Sequence, residues 1–114
     1  MKQEKATLQM KPNGRGFAFK TRNGYTLSVA VGAGSYSDNK MAAMDTLADP
    51  ATTTMEVAIM TEEGTFTVLP YDVAGYVPVV VLGDLIEAIE GRDWERVCLL
   101  CGETEEPDYS KFPL

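Results

Sequence analysis

Asn23-Gly24-Tyr25-Thr26-Leu27-Ser28-Val29-Ala30-Val31 decides the fold, because it joins a turn dipeptide to a strand of period two. Tyr25, Leu27, Val29 and Val31 fall on one face, and Asn23-Gly24 tolerates the positive φ that a type I′ turn requires. Upstream, Phe17 and Phe19 alternate within 16–22, so the sequence predicts a hairpin of 16–22 with 25–31. Further upstream, residues 6–10 alternate weakly before the turn residues Asn13, Gly14 and Gly16, which is compatible with two strands or one interrupted strand.

Downstream, the period-2 pattern is lost over 32–53, a long irregular insertion for a domain of this size. Within it, Ser37-Asp38-Asn39 is suited to cap a short helix with Met41, Met44 and Leu47 on one side. Alternation returns in Met55-Glu56-Val57-Ala58-Ile59-Met60, turns at Glu62-Glu63-Gly64 and continues through Thr65-Phe66-Thr67-Val68-Leu69, which reads as a second hairpin closed by Pro70. After Pro78, Leu82, Leu85, Ile86 and Ile89 recur at helical spacing, with Pro78 in the first turn and Gly91 as terminator. The alternative is a strand through Leu82 followed by a helix with an Asp84/Glu87 capping box. Residues 94–100 fit either a helix or a strand.

The expectation is an α+β domain. An antiparallel sheet of two hairpins, about four to five strands, is packed by a C-terminal amphipathic helix. Residues 1–102 form the domain and 103–114 an acidic tail. No apolar run approaches the roughly 18 residues of a membrane span, and Met1-Lys2-Gln3-Glu4-Lys5 leads into no apolar stretch, so a cytoplasmic location is expected.

Charge is unevenly distributed. Residues 1–40 hold seven Lys or Arg against two acids, and residues 41–114 hold three against fifteen, giving halves of +5 and −12 within a net −7. A surviving acidic face repels nucleic acid and steers basic protein surfaces toward it. Histidine is absent, which removes the commonest general base and neutral metal ligand. Cys98 and Cys101 have the spacing of half a zinc knuckle, but the chain supplies no second pair. They are packing residues, a disulfide, or half of a site shared across a dimer. Gly32-Ala33-Gly34-Ser35 lacks the third glycine of a dinucleotide fingerprint and the Gly-Lys-Ser/Thr of a P-loop. No cofactor and no catalytic residue is assigned.

Several segments carry a resemblance. Asn23-Gly24-Tyr25-Thr26-Leu27-Ser28-Val29, Tyr36-Ser37-Asp38-Asn39, Glu56-Val57-Ala58-Ile59 and Asp72-Val73-Ala74-Gly75-Tyr76-Val77 look like the recurring order of segments in small accessory proteins of bacteriophages and prophages. The match covers roughly residues 23–90 and supplies no family active site. It implies a non-enzymatic inhibitor, of the anti-CRISPR or other anti-defence kind, that binds a host protein or ribonucleoprotein complex. The expected partner-binding residues are Tyr36, Asp38, Met41 and Met44 in the irregular segment and Glu87, Glu90, Asp93 and Glu95 in the acidic half. A homo-oligomeric phage structural or assembly component, including a homodimer, is the second expectation. The third is a small nucleic-acid binder using Lys11, Arg15, Lys20, Arg22 and the aromatics of the first hairpin, which the overall acidity opposes.

Overall fold

The computed structural model describes residues 5–11, 15–31 and 52–111. Tyr36, Asp38, Met41, Met44 and the helix expected around them lie outside the described residues. Those described form an α+β fold: a five-stranded antiparallel sheet and two helices. The strands are β1 (Thr7–Met10), β2 (Gly16–Lys20), β3 (Thr26–Ala30), β4 (Thr54–Met60) and β5 (Val73–Pro78), and their spatial order equals their chain order. Helices α1 (Leu82–Glu90) and α2 (Trp94–Leu100) follow.

Register explains the core. Directly opposed residues share a face, so the pairings align Leu8, Phe19, Leu27 and Ile59 in one row and Met10, Phe17, Val29, Val57 and Ala74 in the next. Leu27, Val29, Val57 and Ile59 are buried with Met55 and Val77 of the same face, together with Leu85, Ala88 and Ile89 of α1 and Val97 and Cys98 of α2. Burying a leucine or isoleucine of this kind contributes about 1.5–3 kcal/mol. Along both rows burial declines toward β1, where Leu8 and Met10 are 56% and 66% exposed.

The first hairpin is the predicted one, with a different turn. Gly24 has φ 91° while Asn23 keeps a negative φ, and the Gly24 amide donates to the Thr21 carbonyl at 3.1 Å. This is a type I turn with a glycine bulge instead of type I′. The same construction recurs at Thr61-Glu62-Glu63-Gly64, where Gly64 has φ 82° and its amide donates to the Thr61 carbonyl at 3.0 Å. In both turns the threonine hydroxyl accepts from the amide four residues on, Tyr25 at 3.2 Å and Thr65 at 3.3 Å.

Beyond the second turn the expected strand over 65–69 stops after one bridge, Met60 with Phe66. The Leu69 amide turns back to the Thr67 carbonyl at 2.5 Å with Val68 at φ 34°, so the chain leaves the sheet. The strand that pairs with β4 on this side is instead β5, a segment for which no strand is expected from the sequence. A register shift between Met55 and Val57, with Tyr76 at φ 53°, breaks the period-2 pattern that would have revealed it. Pro78 therefore ends a strand, and a single 3₁₀ turn, Val79–Val81, precedes α1. Neither the first-turn role of Pro78 nor the Asp84/Glu87 capping box is realised, since the α1 N-cap is Val81 with no side-chain bond.

Helix ends are closed by chemistry visible in single residues. Gly91 is the C-cap of α1, but the left-handed residue is Arg92 at φ 55°. Its amide donates to Ile89 and that of Asp93 to Ala88, at 3.1 and 2.9 Å, which is a Schellman closure. Asn23 adds a third donor, its Nδ2 reaching the Ile89 carbonyl at 3.1 Å, so the first hairpin caps α1. Tyr25 meets Trp94 edge to face, with ring centroids 5.0 Å apart. No helix among the described residues is long and apolar enough to cross a membrane.

Candidate functional site

The site is built from α2 and the irregular return that follows it. Asp93 starts α2 by accepting from the Arg96 amide at 3.3 Å. The helix turns Val97 and Cys98 inward and leaves Glu95 and Leu99, four residues apart, on the outer side. Gly102, at φ 77°, then ends α2 in a second Schellman closure: its amide donates to Leu99 at 3.0 Å and that of Glu103 to Cys98 at 3.0 Å. This reversal sends residues 103–107 back beside the helix.

One backbone bond holds the return in place: the Asp108 amide donates to the Val68 carbonyl at 2.8 Å. Between the walls lies a crevice of about 290 Å³, with Glu95, Cys98 and Leu99 on one side and residues 103–107 on the other. Four carboxylates line it, Glu95, Glu103, Glu105 and Glu106, beside a leucine that is 75% exposed. The ion pairs among the described residues reach none of these four.

Electrostatics record this excess of negative charge. The neighbouring Glu105, through its hydrogen-bonding and then its charge, raises the Tyr71 hydroxyl above its ordinary pKa, and the charge of Glu103 adds to it. Cys98 and Cys101 are buried free thiols. Burial first, with Glu103 adding to it, pushes Cys98 up to about 11. Burial, then Cys98, then Glu103 push Cys101 up to about 12. Both stay protonated at neutral pH and pack as small apolar groups, which favours the packing reading of the pair.

The acids expected to bind a partner divide sharply. Glu90 accepts from the Arg22 amide at 3.1 Å and from Arg22 Nε at 3.3 Å, so it ties α1 to the first hairpin. Glu87 accepts from Arg96 Nη1 at 3.2 Å, and Asp84 shares the same guanidinium at 3.4 Å. Asp93 is the helix cap. Of the four expected acids, Glu95 is the one that faces the crevice. Glu103, Glu105, Glu106, Leu99 and Tyr71 were not among the expected residues. The available signal was Cys101-Gly102 followed by acids, since a glycine after a helix permits the reversal that folds a tail back.

Compared with models of protein families, with curated proteins and with solved structures, the chain matches none.

Proposed function

We propose that this chain is a non-enzymatic binding protein that presents the crevice between α2 and residues 103–107 to a cationic surface of another protein. The observation that carries the reading is the grouping of Glu95, Glu103, Glu105 and Glu106 around the exposed Leu99. Carboxylates of one sign in a concave site raise encounter rates with lysine- and arginine-rich surfaces. An apolar side chain at the rim supplies an anchor that such steering lacks. A protein built this way suits an inhibitor that occupies the nucleic-acid-binding face of a host defence or nucleic-acid-handling complex, as the resemblance to phage accessory proteins implies. Such faces are themselves basic.

The test is capture from bacterial lysate with the native protein and with a variant carrying Gln at positions 95, 103, 105 and 106. The reading expects nuclease, polymerase or defence subunits on the native protein at low salt and their loss from the variant. Equal recovery on both would overturn it.

A further inference from the structure

At the far edge from β5 the sheet ends in an unguarded strand. Strand β1 is terminal in the sheet order, with β2 as its neighbour. The Lys11 amide donates to the Gly16 carbonyl at 2.9 Å, which fixes the phase of the β1–β2 ladder. Hydrogen-bonded and non-bonded pairs alternate along an antiparallel ladder. Thr7 and Gln9 therefore direct their backbone groups toward Lys20 and Ala18 of β2, whereas Leu8 and Met10 direct theirs outward. Among the described residues no bond takes up those outward groups. Edges are usually protected by a charge, a proline, a bulge or a covering element. Thr7–Met10 holds no charge, no proline and no bulge against β2, and all 4 of its residues are exposed.

Leu8 and Met10 also put their side chains on the apolar face. Leu8 continues the row of Phe19 and Leu27, and Met10 that of Phe17 and Val29. Both remain more than half exposed, and Phe17 and Phe19 are only partly covered, so the rows stop short at β1. A strand that extends them must carry apolar side chains on the same residues whose backbone groups point toward the edge. β1 itself meets that requirement, since Leu8 and Met10 have both properties.

We propose that β1 pairs with β1 of a second copy of this chain, antiparallel about a two-fold axis at Gln9. In that register Leu8 exchanges main-chain bonds with Met10 of the second copy, and Met10 with its Leu8. The apolar rows then join, with Leu27, Phe19 and Leu8 of one copy running into Met10, Phe17 and Val29 of the other. At the axis Gln9 meets Gln9 as a non-bonded pair, where side chains stand closest. An amide carries both donor and acceptor, so it is its own complement. The neighbouring registers are disfavoured. A shift of the axis to Leu8 sets Lys5 against Lys11, like charges directly opposed. A shift to Met10 sets Leu8 against residue 12, a proline with no N–H to give. With the axis at Gln9, Lys11 faces Thr7, and its Nζ is turned across β2 to Ser28 Oγ at 2.7 Å. A short strand makes the dimer weak and concentration-dependent. This edge is separate from the acidic crevice and does not rest on the function proposed for it.

The test is sedimentation equilibrium of the native chain from micromolar to millimolar concentration, beside Gln9→Lys, Gln9→Glu and an equimolar mixture of the two variants. Gln9 is exposed and its side chain lies on the face away from the core, so both variants keep the fold, which equal unfolding midpoints verify. The native chain is expected to pass from monomer to dimer as concentration rises. Each variant alone sets like charges together at the axis and is expected to raise the dimer dissociation constant roughly twofold to fivefold. The mixture, with opposite charges facing, is expected to dimerise at least as well as the native chain. Hydrogen exchange at the Leu8 and Met10 amides should slow as the dimer forms, while Gln9, already bonded to β2, stays unchanged. A native chain that is monomeric at every concentration overturns the proposal. So does a dimer indifferent to both Gln9 substitutions, which places the contact elsewhere, or a mixture that associates no better than either variant alone.

Discussion

The Asp108 amide donates to the carbonyl of Val68 across 2.8 Å, joining the acidic tail to a buried turn. Val68 has φ 34°, a region that β-branched residues seldom adopt, and Cys98 also directs its thiol at the same carbonyl, 3.9 Å away. The turn thus faces one carbonyl toward both α2 and the tail, and the crevice exists because these two elements share that anchor. Hydrogen exchange should find the Asp108 amide protected well above those of Glu105 and Glu106. Equal exchange at the three would show that the tail is not held.

Thr67, beside that turn, is fully buried and its Oγ1 has no hydrogen-bond partner. An unsatisfied buried hydroxyl costs about 1–3 kcal/mol, and replacing it by an apolar group of the same shape removes that cost. Thr67→Val should leave stability equal or raise it by up to about 1 kcal/mol in urea unfolding. A loss of similar size would mean that the hydroxyl bonds a group not seen here.

Three glycines with positive φ should respond unequally to alanine. At Gly64 nothing lies within 4 Å of an added Cβ, so only backbone strain of about 1 kcal/mol is expected. At Gly24 the Cβ meets the Glu62 Oε1 at 2.6 Å, a flexible side-chain end that can move away. At Gly16 it falls 2.0 Å from the Val29 carbonyl oxygen, within the β2–β3 ladder. Gly16→Ala should therefore cost about 3 kcal/mol or more, with the other two well below it. Denaturant midpoints rank the three directly.

Asp93→Ala removes the α2 cap and should cost about 1 kcal/mol, with Asp93→Asn nearly neutral. Because α2 forms one wall of the crevice, the same alanine variant should weaken capture of a basic partner. Unchanged stability would mean that the bond to the Arg96 amide is not maintained in solution.

The two thiols make stability depend on alkaline pH. Their folded pKa values lie above the ordinary thiol value, so the unfolded chain releases its protons first as pH rises. Their contribution is complete below about pH 9, where the unfolded thiols titrate, and is lost as pH climbs toward 11 and 12. Unfolding midpoints should fall over that window, and by less in Cys101→Ala. Reaction with a thiol reagent in native buffer at pH 7.5 should be slow, and full after denaturation.

Much of the sheet was legible in the sequence because β3 alternates cleanly, Phe17 and Phe19 of β2 and Met55, Val57 and Ile59 of β4 keep the same period, and Gly24 and Gly64 punctuate them. β5 was not, since its bulge and exposed residues Gly75 and Tyr76 erase the period. Val68 hid the end of the second hairpin for a related reason: a valine signals strand, and only tertiary packing places it at positive φ. The site divides along the same line. Glu95 could be picked out as a helix acid, but so could Glu87 and Glu90, and sequence does not show which acids find an arginine. Arg22 is 68 residues from Glu90, a separation no local pattern reports. The tail acids were set apart as an appendage because the bond that folds them back, Asp108 to Val68, joins two irregular segments.

The most direct test of the central claim is a titration of isotope-labelled native protein with a short arginine-rich peptide, followed by amide chemical shifts. The account predicts saturable shifts concentrated at Glu95, Leu99 and residues 103–106, reduced by added salt and absent when those four glutamates are replaced by glutamine. Shifts spread evenly over all exposed acids, or centred on Asp84, Glu87 and Glu90 instead, would contradict it.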